Sequence, residues 1–171
     1  MSVAVAALRV AAFVANSILV SRREEKRSQQ TLETRQAQMF MDIYRQTTSK
    51  DYIASWNRVY EDSDWNNAAE FMELWKDNGF RESFNVVGTF YEGVGVLVRE
   101  GYLSIRLVAL LICGMTLSYW GKVQPIIEEL RLAFDTSRFL SESEYLYVEL
   151  VKYLEAHPEL QTNAYKPFKK A

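Results

Sequence analysis

The stretch FRESFNVVGTFYEGVGVLVRE, residues 80–100, decides the fold. Its apolar residues Phe84, Val87, Phe90, Tyr91, Val94, Leu97 and Val98 recur at three- and four-residue intervals, the period of one helix face. The spacing predicts a helix of about five turns that ends at Gly101. Gly88, Gly93 and Gly95 lie inside it, and each costs about 1 kcal/mol against alanine in a helix. Close approach of a neighbouring helix is the expected reason for them. Gly93-x-Gly95 is not a phosphate loop, because no strand precedes it and no Lys-Ser/Thr follows.

Downstream, Leu103 to Phe134 is apolar through Leu117 and then amphipathic through Trp120, Val123, Ile126, Ile127 and Leu130, with a kink expected at Gly121 and Pro125. Its apolar run is short for a membrane span. A last helix is predicted over Ser141 to Glu155. Ser141 and Glu144 would form a capping box, and Tyr145, Leu146, Val148, Leu150, Val151 and Leu154 the buried face. His157-Pro158 ends it, and the tail 161–171 reads as loose and basic, with Lys166, Lys169 and Lys170 able to graze an anionic membrane. Upstream, Asn78-Gly79 would close a helix through Phe71, Met72, Leu74 and Trp75 that Asn66 or Asn67 caps. Residues 61–67 form a loop whose Asp62-x-Asp64 lacks the glycine and distal glutamate of a calcium site. Ser49 caps a helix carrying Tyr52, Ile53, Trp56, Val59 and Tyr60 on one face, and Thr47-Thr48-Ser49 separates it from Met39, Phe40, Ile43 and Tyr44. No strand-period pattern and no internal repeat appear.

The N-terminal segment differs in kind. Residues 2–20, SVAVAALRVAAFVANSILV, would span about 28 Å as a helix, close to the thickness of the hydrocarbon layer. Arg22, Arg23, Lys26 and Arg27 follow at once, whereas only Arg9 lies within the apolar run. That asymmetry predicts a single-pass anchor with its N-terminus outside and the rest of the chain cytoplasmic. A signal peptide would carry its charge in front of the apolar run. An interfacial helix stays open as an alternative, because Arg9 and the marginal length both suit one. Ser2, Arg9 and Asn16 are spaced by seven and form one stripe, beside the small-residue stripe Ala4, Ala7, Ala11 and Ala15. The stripe reads either as a contact with another transmembrane helix or as Arg9 snorkelling to the outer interface. Residues 22–38 are polar nearly all round and predict a helical stalk.

Composition narrows the function classes. The 171 residues suit one domain with an appendage, and a net charge of -2 gives no reason to expect nucleic acid. The one cysteine, Cys113, sits in an apolar run and reads as a buried core thiol. The single histidine, His157, stands before proline at a helix end, so His-based triads and multi-His metal sites are excluded. No catalytic, metal or cofactor constellation is recognisable. Asn85 and Glu92, seven apart, share one helix face beside Phe84 and Tyr91. With Tyr119 and Trp120 they predict either a polar network that fixes two helices or a ligand site. Partners for Glu92 are sought among Tyr119, Trp120, Tyr102 and Arg106.

The stretch 84–127, with Asn85, Phe90-Tyr91, Glu92, Leu97-Val98, Gly101, Tyr119-Trp120 and Pro125-Ile126, resembles the DUF4760 family of uncharacterised prokaryotic proteins. The resemblance covers most of the chain. It implies an N-terminal membrane helix, a charged stalk and a small helical domain, and it implies no reaction.

The expected protein is therefore all-α, with an anchor over 1–21, a stalk over 22–38, a domain of about five helices over 39–160 and a tail over 161–171. Its expected work is interaction without catalysis or cofactor, as an adaptor, sensor or accessory subunit of a membrane complex. The expected partners are the lipid bilayer and another membrane protein or a second copy. A small-ligand receptor or enzyme with a pocket near Glu92 and Trp120 is the alternative.

Overall fold

The computed structural model describes residues 3–160, with side chains from Val20 onward except Ser28 and Gln29. The described residues are all-helical. α1 runs Val3–Thr47, α2 Lys50–Tyr60, α3 Ala68–Leu74 and α4 Asn78–Arg99. α5 runs Ile105–Leu111, α6 Cys113–Val123, α7 Ile127–Ala133 and α8 Ser141–Ala156, with short 3-10 turns at Gln124–Ile126 and Pro158–Leu160. The chain divides into two units, 1–39 and 40–171. The side chains of Ser2, Arg9 and Asn16 and the tail 161–171 lie outside the described residues.

In the first unit, the described side chains from Val20 to Arg35 are all exposed, Leu32 among them. Thr31 and Thr34 return their hydroxyl protons to the carbonyls of Arg27 and Gln30 at 2.8 Å, the local back-bond a helical threonine makes when nothing else is in reach.

The second unit is built round α4, which packs chiefly against α8 and α2. Phe80, Phe84, Val87, Phe90, Tyr91 and Val94 are its buried stripe. The starts of α2, α3, α4 and α5 each use a short polar side chain to satisfy an orphan amide. Ser49 accepts from the Tyr52 N–H, Asn67 from Glu70, Asp77 from Phe80 and Ser104 from Leu107. Asn78 and Gly79 therefore open α4 and do not close α3, because Asp77 wins as the cap between them. α4 ends at Gly101, whose φ of +72° lets the amides of Gly101 and Tyr102 reach back to the carbonyls of Val98 and Leu97.

Four expectations about burial change. Ile53, Val148 and Tyr44 lie on the exposed side of their helices, while Tyr52, Leu146 and Ile43 take the core positions. Cys113 is only half-buried, although that burial still pushes its thiol up.

Among the described residues the bundle has seven helices beyond α1 where about five were expected, because the segment 103–134 is broken twice. Pro125 sits in the 3-10 turn between α6 and α7, as its missing amide requires. Gly121 lies inside α6 without a break. The other break falls at Ile112, with φ −129° and ψ 20°, where Ile105–Leu111 and Cys113–Ala133 turn by 93°. No glycine or proline stands at that position. The bend buries Val108, Ile112 and Thr116 together, and the Thr116 hydroxyl donates to the Ile112 carbonyl at 2.9 Å. Among the described residues no single helix is long and apolar enough to cross a membrane, and this bent pair passes only on length and composition.

Candidate functional site

Glu92 projects from the middle of α4 toward the first turn of α8. Its Oε1 accepts a hydrogen bond from the Ser143 N–H at 2.7 Å. α8 needs that bond. Leu140, at its N-cap, has no side-chain acceptor and adopts φ +56°. The expected capping box does not form, because Ser141 is already inside the helix and Glu144 turns away to Arg131, 2.7 Å from Nη2. A carboxylate from another helix therefore does what a local residue does elsewhere, and its charge meets the positive end of the α8 dipole. Of the expected partners, Tyr102 and Arg106 are exposed to solvent.

Glu92→Gln is expected to cost about 1 kcal/mol, since it keeps an acceptor but loses the charge. Glu92→Ala removes the acceptor and is expected to cost about 2 kcal/mol. Urea unfolding of the two variants checks the order, and equal stability of all three proteins would remove Glu92 as the cap.

Beside this bond lies an open cleft of about 270 Å³, lined by Asn85, Gly88, Thr89 and Glu92 of α4 and by Thr136, Arg138, Phe139 and Leu140 of the turn that precedes α8, with Phe84 below. Asn85 and Glu92 thus line one cleft, although Asn85 is exposed. Tyr119 approaches it from beneath: a Cβ on Gly88 would lie 3.2 Å from the Tyr119 hydroxyl and 3.4 Å from Leu140 Cδ2. Trp120 does not line this cleft; it is buried, with its ring 6.3 Å from Tyr147. Thr136, Arg138, Leu140 and Ser143 escape sequence reasoning, because they reach Glu92 only through the fold.

Behind the cleft, Tyr91 and Tyr119 stack at 4.5 Å, and the Tyr52 hydroxyl donates to that of Tyr91 at 3.4 Å. Burial pushes all three hydroxyls upward, Tyr52 from 10.0 to about 12. For Tyr119 the neighbouring Glu92 charge adds to the rise. The consequence for stability has a definite sign. Below pH 10 the three are neutral in folded and unfolded chains alike, and their contribution is complete. Between pH 10 and 12 the unfolded chain releases protons that the folded one keeps, so stability falls as pH rises. The urea midpoint is expected to drop steeply above pH 10, with tyrosinate absorbance and helix loss rising together. Tyrosinate absorbance that completes with the helices intact would contradict it.

A second long-range contact mirrors the first. The Lys122 ammonium of α6 donates to the carbonyls of Val59 at 3.2 Å, Tyr60 at 3.2 Å and Ser63 at 2.7 Å, closing the C-terminal end of α2. It also lies 4.1 Å from the centre of the Trp65 ring. Burial pushes this ammonium down, and Asp64 pulls it partly back.

These features define an all-α domain in which two helix ends, the start of α8 and the end of α2, are held by charged side chains from other helices. Residues 1–150 match the domain of unknown function DUF4760, and the chain belongs to that family. No curated protein and no solved structure matches it.

Proposed function

We propose that this chain is a membrane-tethered helical interaction module, held at the bilayer through residues 1–21, with its N-terminus outside and residues 22–171 on the cytoplasmic side. The observation that carries the reading is α1, a helix of 45 residues that joins the apolar run 2–20 to a charged stretch whose described side chains are exposed. A helix polar on all sides gains little from its own domain and fits a connector. In this role the chain serves as an adaptor, sensor or accessory subunit, paired with another membrane protein or a second copy through the stripe of Ser2, Arg9 and Asn16.

The test uses the full chain in native membranes. It is expected to resist alkaline carbonate extraction, to keep a C-terminal tag protected from protease in sealed cells, and to crosslink to a membrane partner. Arg9→Leu is expected to reduce that crosslink. Release by carbonate would overturn the anchor, a tag cleaved from outside would overturn the orientation, and unchanged crosslinking of Arg9→Leu would overturn the stripe.

A further inference from the structure

Two costly features lie in or just behind the wall of the cleft beside Glu92, where Gly88 and Glu92 line it and Tyr119 and Ser143 stand next to them. The first is a pair of buried hydroxyls, Tyr119 Oη and Ser143 Oγ, that have no hydrogen-bond partner among the described residues. Tyr119 is 2 % exposed and Ser143 likewise 2 %. Buried polar groups are nearly always paired, and the exceptions call for a reason. The second is Leu140, a bulky residue in the left-handed region at φ +56°, with Asp135 at φ +49° in the same turn. Backbone strain of this kind persists where the surroundings impose it and collects at binding sites. Leu140 lies where the Gly88 surface, the Tyr119 hydroxyl and the cleft meet. Glu92 supplies a third group: Oε1 is engaged by the Ser143 amide, and Oε2 makes no hydrogen bond among the described residues.

We infer that the cleft between α4 and the turn 134–140 binds a small, uncharged, hydroxyl-rich molecule that hydrogen-bonds to Glu92, Tyr119 and Ser143 when Leu140 swings aside. The donor and acceptor balance selects the hydroxyl. Tyr and Ser hydroxyls each donate and accept, whereas the carboxylate only accepts, and neighbouring hydroxyls on a ligand can satisfy both kinds of partner. Electrostatics select a neutral molecule. The Glu92 charge is already opposed by the α8 N-terminus, and Arg138 at the rim lies 3.8 Å from Glu142, which also pairs with Arg99 at 2.6 Å. Size selects a small one, since about 270 Å³ lies just under the usual range for drug-sized ligands. Phe84 and Phe139 offer apolar faces for its carbon skeleton. The inference is independent of the membrane reading.

The test measures binding of three uncharged polyols, myo-inositol, D-glucose and glycerol, with ethanolamine as a charged comparison, to the full chain in detergent by calorimetric titration. Saturable binding of at least one polyol at millimolar concentration is expected, and Tyr119→Phe is expected to weaken it at least about tenfold. Without ligand, Tyr119→Phe is expected to melt at the same temperature as the parent or higher, because it removes a buried hydroxyl that lacks a partner. That outcome separates a binding role from a structural one. Absence of saturable polyol binding, affinity unchanged in Tyr119→Phe, a lower melting temperature for that variant, or binding of ethanolamine alone would each overturn the inference.

Discussion

Gly95→Ala is expected to destabilise the helical domain by about 3 kcal/mol, whereas Gly93→Ala, two residues away on the exposed side of the same helix, is expected to stabilise it by up to about 1 kcal/mol. The two differ only in what a methyl group would meet. At Gly95 a Cβ would run into the backbone carbonyl of Glu142 in α8. A backbone atom inside a helix cannot rotate away, so α4 and α8 must part, and theirs is the main contact of the bundle. At Gly93 nothing lies within 4 Å, and only the ordinary helix preference for alanine remains. Thermal unfolding distinguishes the pair. The first variant should lose about 10 °C and the second should gain a few degrees. Equal losses would mean that α4 and α8 do not touch at Gly95.

Lys122→Met is the second large effect, with an expected loss of about 2–3 kcal/mol. Methionine keeps the apolar stem and removes the ammonium. Three carbonyls then lose their donor at the negative end of α2, and the attraction to the Trp65 ring goes with it. The loss should appear in the urea midpoint with little change in slope, because the folded core stays equally compact. A variant as stable as its parent would show that the Val59, Tyr60 and Ser63 carbonyls do not depend on Lys122.

What could be read from the residues alone follows the range of the forces involved. α4 is legible because its stripe from Phe84 to Val98 repeats a local period, and Gly101 is legible because a left-handed C-terminus favours glycine. The caps at Ser49 and Asn67 are legible for the same reason: donor and acceptor lie three residues apart. The break at Ile112 is not, since the packing of Val108, Ile112 and Thr116 imposes it and no residue there signals it. The start of α8 misleads, because Ser141 and Glu144 have the spacing of a capping box while Arg131 and Glu92, far away in sequence, offer better partners. The spacing of Asn85 and Glu92 puts them on one face. The other wall of their cleft, Thr136 to Leu140, enters only when α8 folds back on α4.

The two borrowed caps also set an order of assembly. Glu92 and Ser143 are 51 residues apart, and Lys122 and Val59 are 63 apart. Neither bond can form until a long segment has closed into a loop, which costs entropy before any contact repays it. While the chain is being synthesised, α2 therefore emerges well before the Lys122 that seals its end, whereas Glu92 is already present when the first turn of α8 is made. Substitutions at Glu92 and Lys122 should then mainly speed unfolding and leave the folding rate nearly unchanged, as expected for contacts made after the barrier has been crossed.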